Sequence, residues 1–301
     1  MINFLKFRPF SAVLSVLIFV TFIGTYLYKY NTNPQHQTFN YSVDFVGGIQ
    51  LLLKFEKPVT GEQLVHILDT KGWPGTVSRQ FSPTEHVVRV KNEANKSQDV
   101  TVEAEKIRSA LEAGLDGSKV TVKQTDSVGS GMGAALRTKS LYAVILSLVL
   151  MLLYIALRFW SFSYAMGAIV SLFHDALVVL VIFLLFDKEI SINVIGAILA
   201  VLGYSINDTI VIFSRIRENV QRMPGTPIAQ VVNLSINETL SRTLLTTFAT
   251  TLVVIALLIF GGETLRDLSL ALLIGIVFGI YSTIFIACPV MLMLYKDNKA
   301  V

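Results

Sequence analysis

The feature that most limits the fold is a charge placed inside a run of apolar residues. Residues 190–219 hold about twenty residues apolar enough to cross a bilayer as a helix. Asp208 lies within that run, with Asn207 before it and Thr209 after it. A carboxylate in hydrocarbon costs about 2.5 kcal/mol or more, so this side chain has to face protein or water. On a helix, Asn193, Gly196, Ala200, Gly203 and Asn207 recur at steps of three and four. They make a stripe of small and polar side chains, with Tyr204 and Asp208 beside it. Such a stripe admits a second helix at close range and gives the acid a protein wall. Arg215 and Arg217 mark where the helix returns to water.

The rest of the chain agrees with a membrane setting. Of 301 residues, 53% are hydrophobic and only 15% charged, where a soluble domain carries about a quarter. Mean hydropathy is +0.61. The net charge of +4 does not point to nucleic acid, because the basic residues stand at the ends of apolar runs, as the positive-inside bias requires. Cys288 is the single cysteine, which excludes an intrachain disulfide and a cysteine-based metal site.

Lys6 and Arg8 precede a first apolar run over residues 10–28. No small-residue cleavage site follows it, so it reads as an uncleaved transmembrane helix within residues 1–30. Pro9 suits its first turn, and Tyr26, Tyr28 and Tyr30 suit the far interface. Residues 31–139 are the one long polar region. Strand patterns at 49–55, 76–81, 86–90 and 119–124 alternate with helical patterns at 60–71 and 97–115. The order β-α-β-β-α-β predicts a ferredoxin-like α+β domain. Asp44-Phe45-Val46-Gly47-Gly48 precedes it and Val128-Gly129-Ser130-Gly131-Met132-Gly133 follows it. These glycines suit turns or close backbone approach; neither run has the spacing of a phosphate-binding loop.

Residues 140–301 hold five further spans, at 141–157, 164–186, 191–213, 243–260 and 268–294. The sequence therefore predicts a polytopic α-helical membrane protein of six helices, with the ferredoxin-like domain between the first two. Gly275 and Gly279 in the last span form a close-packing pair. Lys6, Arg8, Arg158, Arg215, Arg217, Arg222, Lys296 and Lys299 would lie on the cytoplasmic side, against Lys188 and Arg266 outside. Both termini are then cytoplasmic, residues 31–139 are extracytoplasmic, and 214–242 is a cytoplasmic linker in which Thr226 and Pro227 open an amphipathic helix.

In this topology Asp208 and Arg242 sit at similar depth on antiparallel neighbours. Burial favours the neutral acid and a nearby arginine the charged one, opposing pulls that suit a proton-exchanging group. Ser241, Thr243, Thr246, Thr247, Thr250 and Thr251 line the following helix with hydroxyls, which hold waters or bond their own backbone. The plainer alternatives are a static ion pair, or an Arg242 that snorkels to the interface. Asp175, with His174 beside it, is a second intramembrane acid and serves either function or structure; His174 itself reads as a structural hydrogen-bond partner, and His66 and His86 as ordinary residues of the outer domain. An aspartyl protease is disfavoured, since Asp175 and Asp208 fall at different depths and Asp208 follows Ser205-Ile206-Asn207 rather than Gly-x-Gly. No zinc or serine-hydrolase motif is present. Transport, not catalysis, is the expected class.

The run 203–211, GYSINDTIV, followed by Arg215-Ile216-Arg217-Glu218-Asn219, resembles the signature of the SecF family. The resemblance extends to Asp44–Gly48, Arg158-Phe159, His174-Asp175, Thr239-Leu240-Ser241-Arg242-Thr243 and Phe260-Gly261-Gly262. Ser130, Ser214 and Val181 depart from the family pattern, and none touches Asp208 or Arg242. The resemblance implies half of an RND-type transporter. It implies a heterodimer with SecD, association with the SecYEG channel and with YajC, and contact with exported unfolded polypeptide and membrane lipids. It implies use of the proton-motive force with no cofactor and no metal, Asp208 and Arg242 serving proton transport and Asp175 supporting them. A small-molecule exporter of RND type and a passive scaffold of the translocase are the competing readings.

Overall fold

A computed structural model describes residues 1–33, 38–90, 100–115, 117–128 and 130–295. Lys296, Lys299, Gly129 and the predicted helix start at 97–99 lie outside the described residues. By its contacts the chain divides into two compact units, residues 41–141 and residues 1–40 with 142–301.

In the first unit, strand β1 (Gly48–Phe55) is followed by helix α2 (Gly61–Thr70), strands β2 (Val77–Ser82) and β3 (Glu85–Val90), helix α3 (Val100–Gly114) and strand β4 (Val120–Val128). The sheet order is β2-β3-β1-β4 with every pair antiparallel, the split βαβ plan. Alternation along β1 turns Ile49, Leu51, Leu53 and Phe55 to one face. There they pack with Leu64, Leu68, Ile107 and Leu111 from the two helices. Full burial of each such side chain contributes about 1.5–3 kcal/mol. Helix α2 starts at a capping box, in which Thr60 accepts from the Gln63 backbone N–H and Gln63 accepts from that of Thr60. His86 is fully buried: its ring lies edge-on to Phe55, Nε2 is 2.8 Å from the Val59 carbonyl and Nδ1 is 3.2 Å from Ser78 Oγ. Burial holds its pKa below the usual value, against the smaller upward pull of the Val59 carbonyl. His66 is exposed.

The two glycine runs meet. Ser42 caps a single helical turn, Val43–Val46, by accepting from the Asp44 N–H, and its hydroxyl donates to Asp44 Oδ2 at 2.9 Å. Gly47 and Gly48 follow at φ 79° and 142°, conformations that side chains rarely adopt. A Cβ at Gly133 would stand 3.0 Å from Gly47 N and from the Phe45 carbonyl, so glycine there permits the approach.

The second unit is helical. Its helices are α1 (Arg8–Thr32), α4 (Ser130–Phe159), α5 (Phe162–Leu185), α6 (Ile192–Arg222), α7 (Ile228–Phe260), α8 (Gly262–Ser282) and α9 (Cys288–Leu294). Helices α8 and α9 are joined by a π-helical turn, Thr283–Ala287, into one span, so the described residues hold six helices long and apolar enough to cross a membrane. Helix α5, apolar on all sides, is the most buried of them and packs against α1, α6, α8 and α9. Pro289 has no N–H to give to the Phe285 carbonyl four residues earlier. The Ser11 hydroxyl of α1 reaches that carbonyl at 3.2 Å, sharing its hydrogen with the Arg8 carbonyl at 2.9 Å, while Tyr281 Oη donates to the Ser11 carbonyl at 3.0 Å.

The expected linker 214–242 is corrected by the structure. Helix α6 runs on to Arg222 and α7 begins at Ile228, leaving only 223–227 non-helical. Pro227, not Thr226, occupies the N-cap position, with no side-chain cap. Polar pairs hold the two helical extensions together: Arg215 bonds Glu238 at 2.6 Å, and Asn219 donates to Ser235 Oγ and Glu238 at 3.0 and 2.7 Å, while Glu218 pairs with Arg215 and Arg222 within α6. The N-terminus is clasped on the same extension, where Asn233 and Asn237 bond the backbone of Ile2 and Phe4.

Candidate functional site

Helix α6 places its polar residues on different faces, and the helical period decides which neighbour each one meets. Asp208 is 5% exposed. It faces α7, where the Thr247 hydroxyl and the Arg242 charge both act on it. Tyr204, one turn earlier, donates to Thr247 Oγ1 at 3.4 Å and accepts from Thr250 at 3.3 Å. Asp208, Thr247, Tyr204 and Thr250 thus form one hydroxyl-lined strip between two helices. Arg242 is exposed on α7, and no contact ion pair joins it to Asp208 among the described ion pairs. The two groups interact through space, so the static contact pair considered from sequence is not formed.

The other polar residues go elsewhere. Thr246 bonds the carbonyls of Arg242 and Thr243, on its own helix. Thr243 is buried with no hydrogen-bond partner for its hydroxyl among the described residues. Ser241 is exposed. Thr209 points away from Asp208 and bonds Thr283 of the π-helical turn at 3.0 Å. That turn opens the backbone at the depth where α6 and α8 exchange hydroxyls.

Asp175, on α5, is 0% exposed and makes no contact with Asp208; Oδ2 accepts from Ser205 of α6 at 2.6 Å. His174 corrects its expected role as a hydrogen-bond partner. Its ring lies against Tyr281, with centroids 5.9 Å apart, and neither nitrogen has a hydrogen-bond partner among the described residues. Among the described residues no group of three or more His, Cys, Asp or Glu is placed to hold a metal.

The stripe of small residues meets no other helix of this chain among the described residues. Asn193, Gly196, Ala200, Gly203 and Asn207 are all exposed, and nothing lies within 4 Å of a Cβ built on Gly196 or Gly203. Helix α6 packs within this chain by its other face, through Val194, Val201, Leu202, Ser205 and Thr209. Close approach occurs there instead, because a Cβ on Gly275 would overlap Val201 and one on Gly279 would stand 3.3 Å from Ser205. Sequence reasoning missed Ser205, Thr283 and the Asn219–Glu238 bond. All three depend on tertiary placement, because each bond joins residues far apart or on different helices.

With this geometry in hand, residues 107–297 match the family described as protein export membrane protein SecD/SecF, C-terminal, and residues 36–59 match the SecD/SecF GG motif. The chain is similar to protein translocase subunit SecF of Thermodesulfovibrio yellowstonii, 38% identical over 86% of this chain and 85% of that one. It is similar to protein translocase subunit SecF of Borreliella burgdorferi at 34% identity, over 99% of both chains. It also resembles the crystal structure of SecDF, a translocon-associated membrane protein from Thermus thermophilus, at 35% identity with a TM-score of 0.82. That match covers 96% of this chain and 38% of the other, so this chain spans well under half the length of that protein.

Proposed function

The chain belongs to the SecD/SecF family of protein-export membrane proteins, and we propose that it is the SecF-type accessory subunit of the Sec protein translocase, which with SecD uses the proton-motive force to promote polypeptide export across the bacterial inner membrane. The observation that carries this reading is Asp208. It is an acid buried in a membrane span, acted on by one hydroxyl and by an arginine that does not lock it in a contact pair. Such a carboxyl can take up and release a proton. Its neighbours on the exposed stripe, Gly203 and Asn207, then give it a wall from a second protein. We assign that wall to SecD, because the similar SecDF chain is more than twice the length of the matched region. In this reading Arg242 stabilises the charged form of Asp208, and Thr247 and Tyr204 pass or hold the proton.

The positive residues support cytoplasmic termini and a periplasmic domain at residues 31–139. That domain would engage the emerging unfolded chain beside SecYEG and YajC. The work is done by a proton gradient without a cofactor, and the bond that forms and breaks is the O–H of the carboxyl. The test is export of a precursor protein into membrane vesicles under an imposed proton gradient, with Asp208→Asn against the unchanged chain. Loss of the gradient-dependent part alone supports the proposal; full gradient-dependent export by Asp208→Asn sinks it.

A further inference from the structure

The mechanism above uses one acid, yet the same membrane unit buries a second ionisable pair with polar atoms left over. His174 is 7% exposed and Asp175 is 0% exposed. Both imidazole nitrogens and Asp175 Oδ1 are without hydrogen-bond partners among the described residues. His174 Nδ1 stands 3.8 Å from Asp175 Oδ1, within ion-pair range, and the carboxyl receives one hydrogen bond, from Ser205 at 2.6 Å. From these contacts we propose that His174 and Asp175 hold one exchangeable proton between them and form a second proton-carrying site, separate from Asp208 and linked to it through Ser205.

The argument is one of charge. With no proton, the pair is a lone carboxylate in hydrocarbon, and one hydroxyl does not offset its desolvation. With two protons it is a lone imidazolium, equally unfavourable. One proton makes the pair neutral overall, either as imidazolium beside carboxylate or as imidazole beside carboxylic acid. The neutral pair is therefore the arrangement that a water-free site tolerates best. Among the titratable groups on the elements packed around α5 are Arg8 on α1, Tyr204 and Asp208 on α6, Asp267 and Tyr281 on α8 and Cys288 on α9. Of these, Tyr281 touches the His174 ring and already donates its hydroxyl hydrogen to the Ser11 carbonyl, Arg8 and Cys288 act on each other, and Asp208 faces α7.

The link between the two sites is rigid. Ser205 precedes Asp208 by three residues, under one turn of the same helix. Gly279 brings the α8 backbone so near that a methyl there would stand 3.3 Å from Ser205 Oγ and 3.9 Å from Asp175 Oδ2. Ser205 has little room to move alone, so a shift of α6 on protonation of Asp208 reaches Asp175. This coupling rests on the proton-transfer reading of Asp208; the second site does not.

The test uses the full chain in lipid bilayers, carrying Asp208→Asn to silence the first acid. Infrared difference spectra between acid and alkaline pH read carboxylic-acid protonation. Nitrogen NMR of labelled histidine, assigned with His174→Gln, reads the imidazole. The expected result is uptake of one proton seen in one or both signals with a common midpoint. Asp175→Asn should remove the carboxyl signal or change the His174 response. Ser205→Ala, which leaves the pair intact, is the second variant and should shift the midpoint. Absence of any pH response at both residues overturns the second site, and does so whether or not Asp208 carries protons. With Asp208 restored, the midpoint at His174 and Asp175 should move, and Ser205→Ala should abolish that movement; a midpoint the same with and without Asp208 overturns the link.

Discussion

The contact between Gly275 and Val201 sets the distance between α6 and α8, and its strength can be measured. A Cβ at position 275 would lie 2.9 Å from Val201 Cβ and overlap both γ-methyls. Valine on a helix has one strongly favoured rotamer, so those methyls cannot swing aside. In Gly275→Ala the two helices must separate, which costs about 1–3 kcal/mol for an overpacked site. Val201→Ala alone removes two packed methyls. At about 0.5–1.5 kcal/mol for each methyl lost from a packed site, it also costs about 1–3 kcal/mol. If the methyls are the main obstacle, the double variant keeps only the 2.9 Å approach of the two Cβ atoms and costs clearly less than the sum of the single variants. The coupling is then at least about 1 kcal/mol, well outside the roughly 0.3–0.5 kcal/mol scatter of independent sites. The assay is reversible unfolding of the purified chain in mixed micelles, followed by loss of helical circular dichroism. Additive costs in the double variant would refute the packing argument.

Further outcomes follow from the same contacts. Gly203→Leu has open space beside it in this chain, so stability of the isolated chain should change by less than about 1 kcal/mol, the helix-propensity difference alone; copurification with SecD should be lost, and unchanged copurification would remove the stripe from the interface. His86 has a folded-state pKa held below its ordinary 6.5, so its contribution to stability is present above about pH 6.5 and is lost as the pH falls through the folded value. Urea unfolding read by Trp73 fluorescence in a Trp160→Phe background should weaken toward acid pH, and His86→Gln should flatten that part of the dependence. Asn219→Ala deletes bonds to Ser235 and Glu238; hydrogen exchange over 228–240 should quicken, with a loss of about 1–3 kcal/mol in local stability.

The spans and the ferredoxin-like order were legible because burial imprints a period on the sequence. The alternation of Ile49, Leu51, Leu53 and Phe55 and the steps Ala104, Ile107, Leu111 lead directly to the core they build. The helix after Pro227 was legible, but the unbroken run of α6 through 214–222 was not, since its polar residues look like a linker until Arg215 and Asn219 are seen to meet Glu238 across the gap. The stripe on α6 was readable as a packing surface, but its partner was not, because a period says which residues share a face and nothing about who covers it. Asp208 stood out as an acid in oil. Ser205, Thr283 and the unpartnered nitrogens of His174 depend on which turn of one helix meets which turn of another, information that a single sequence does not hold.

The most direct measurement is proton flux into liposomes holding this chain with SecD, under an imposed potential. The expected result is flux with the unchanged pair and a fall to the background of empty liposomes with Asp208→Asn, while both variants remain assembled. Equal flux from Asp208→Asn and the unchanged chain would contradict the assignment of proton transfer to Asp208.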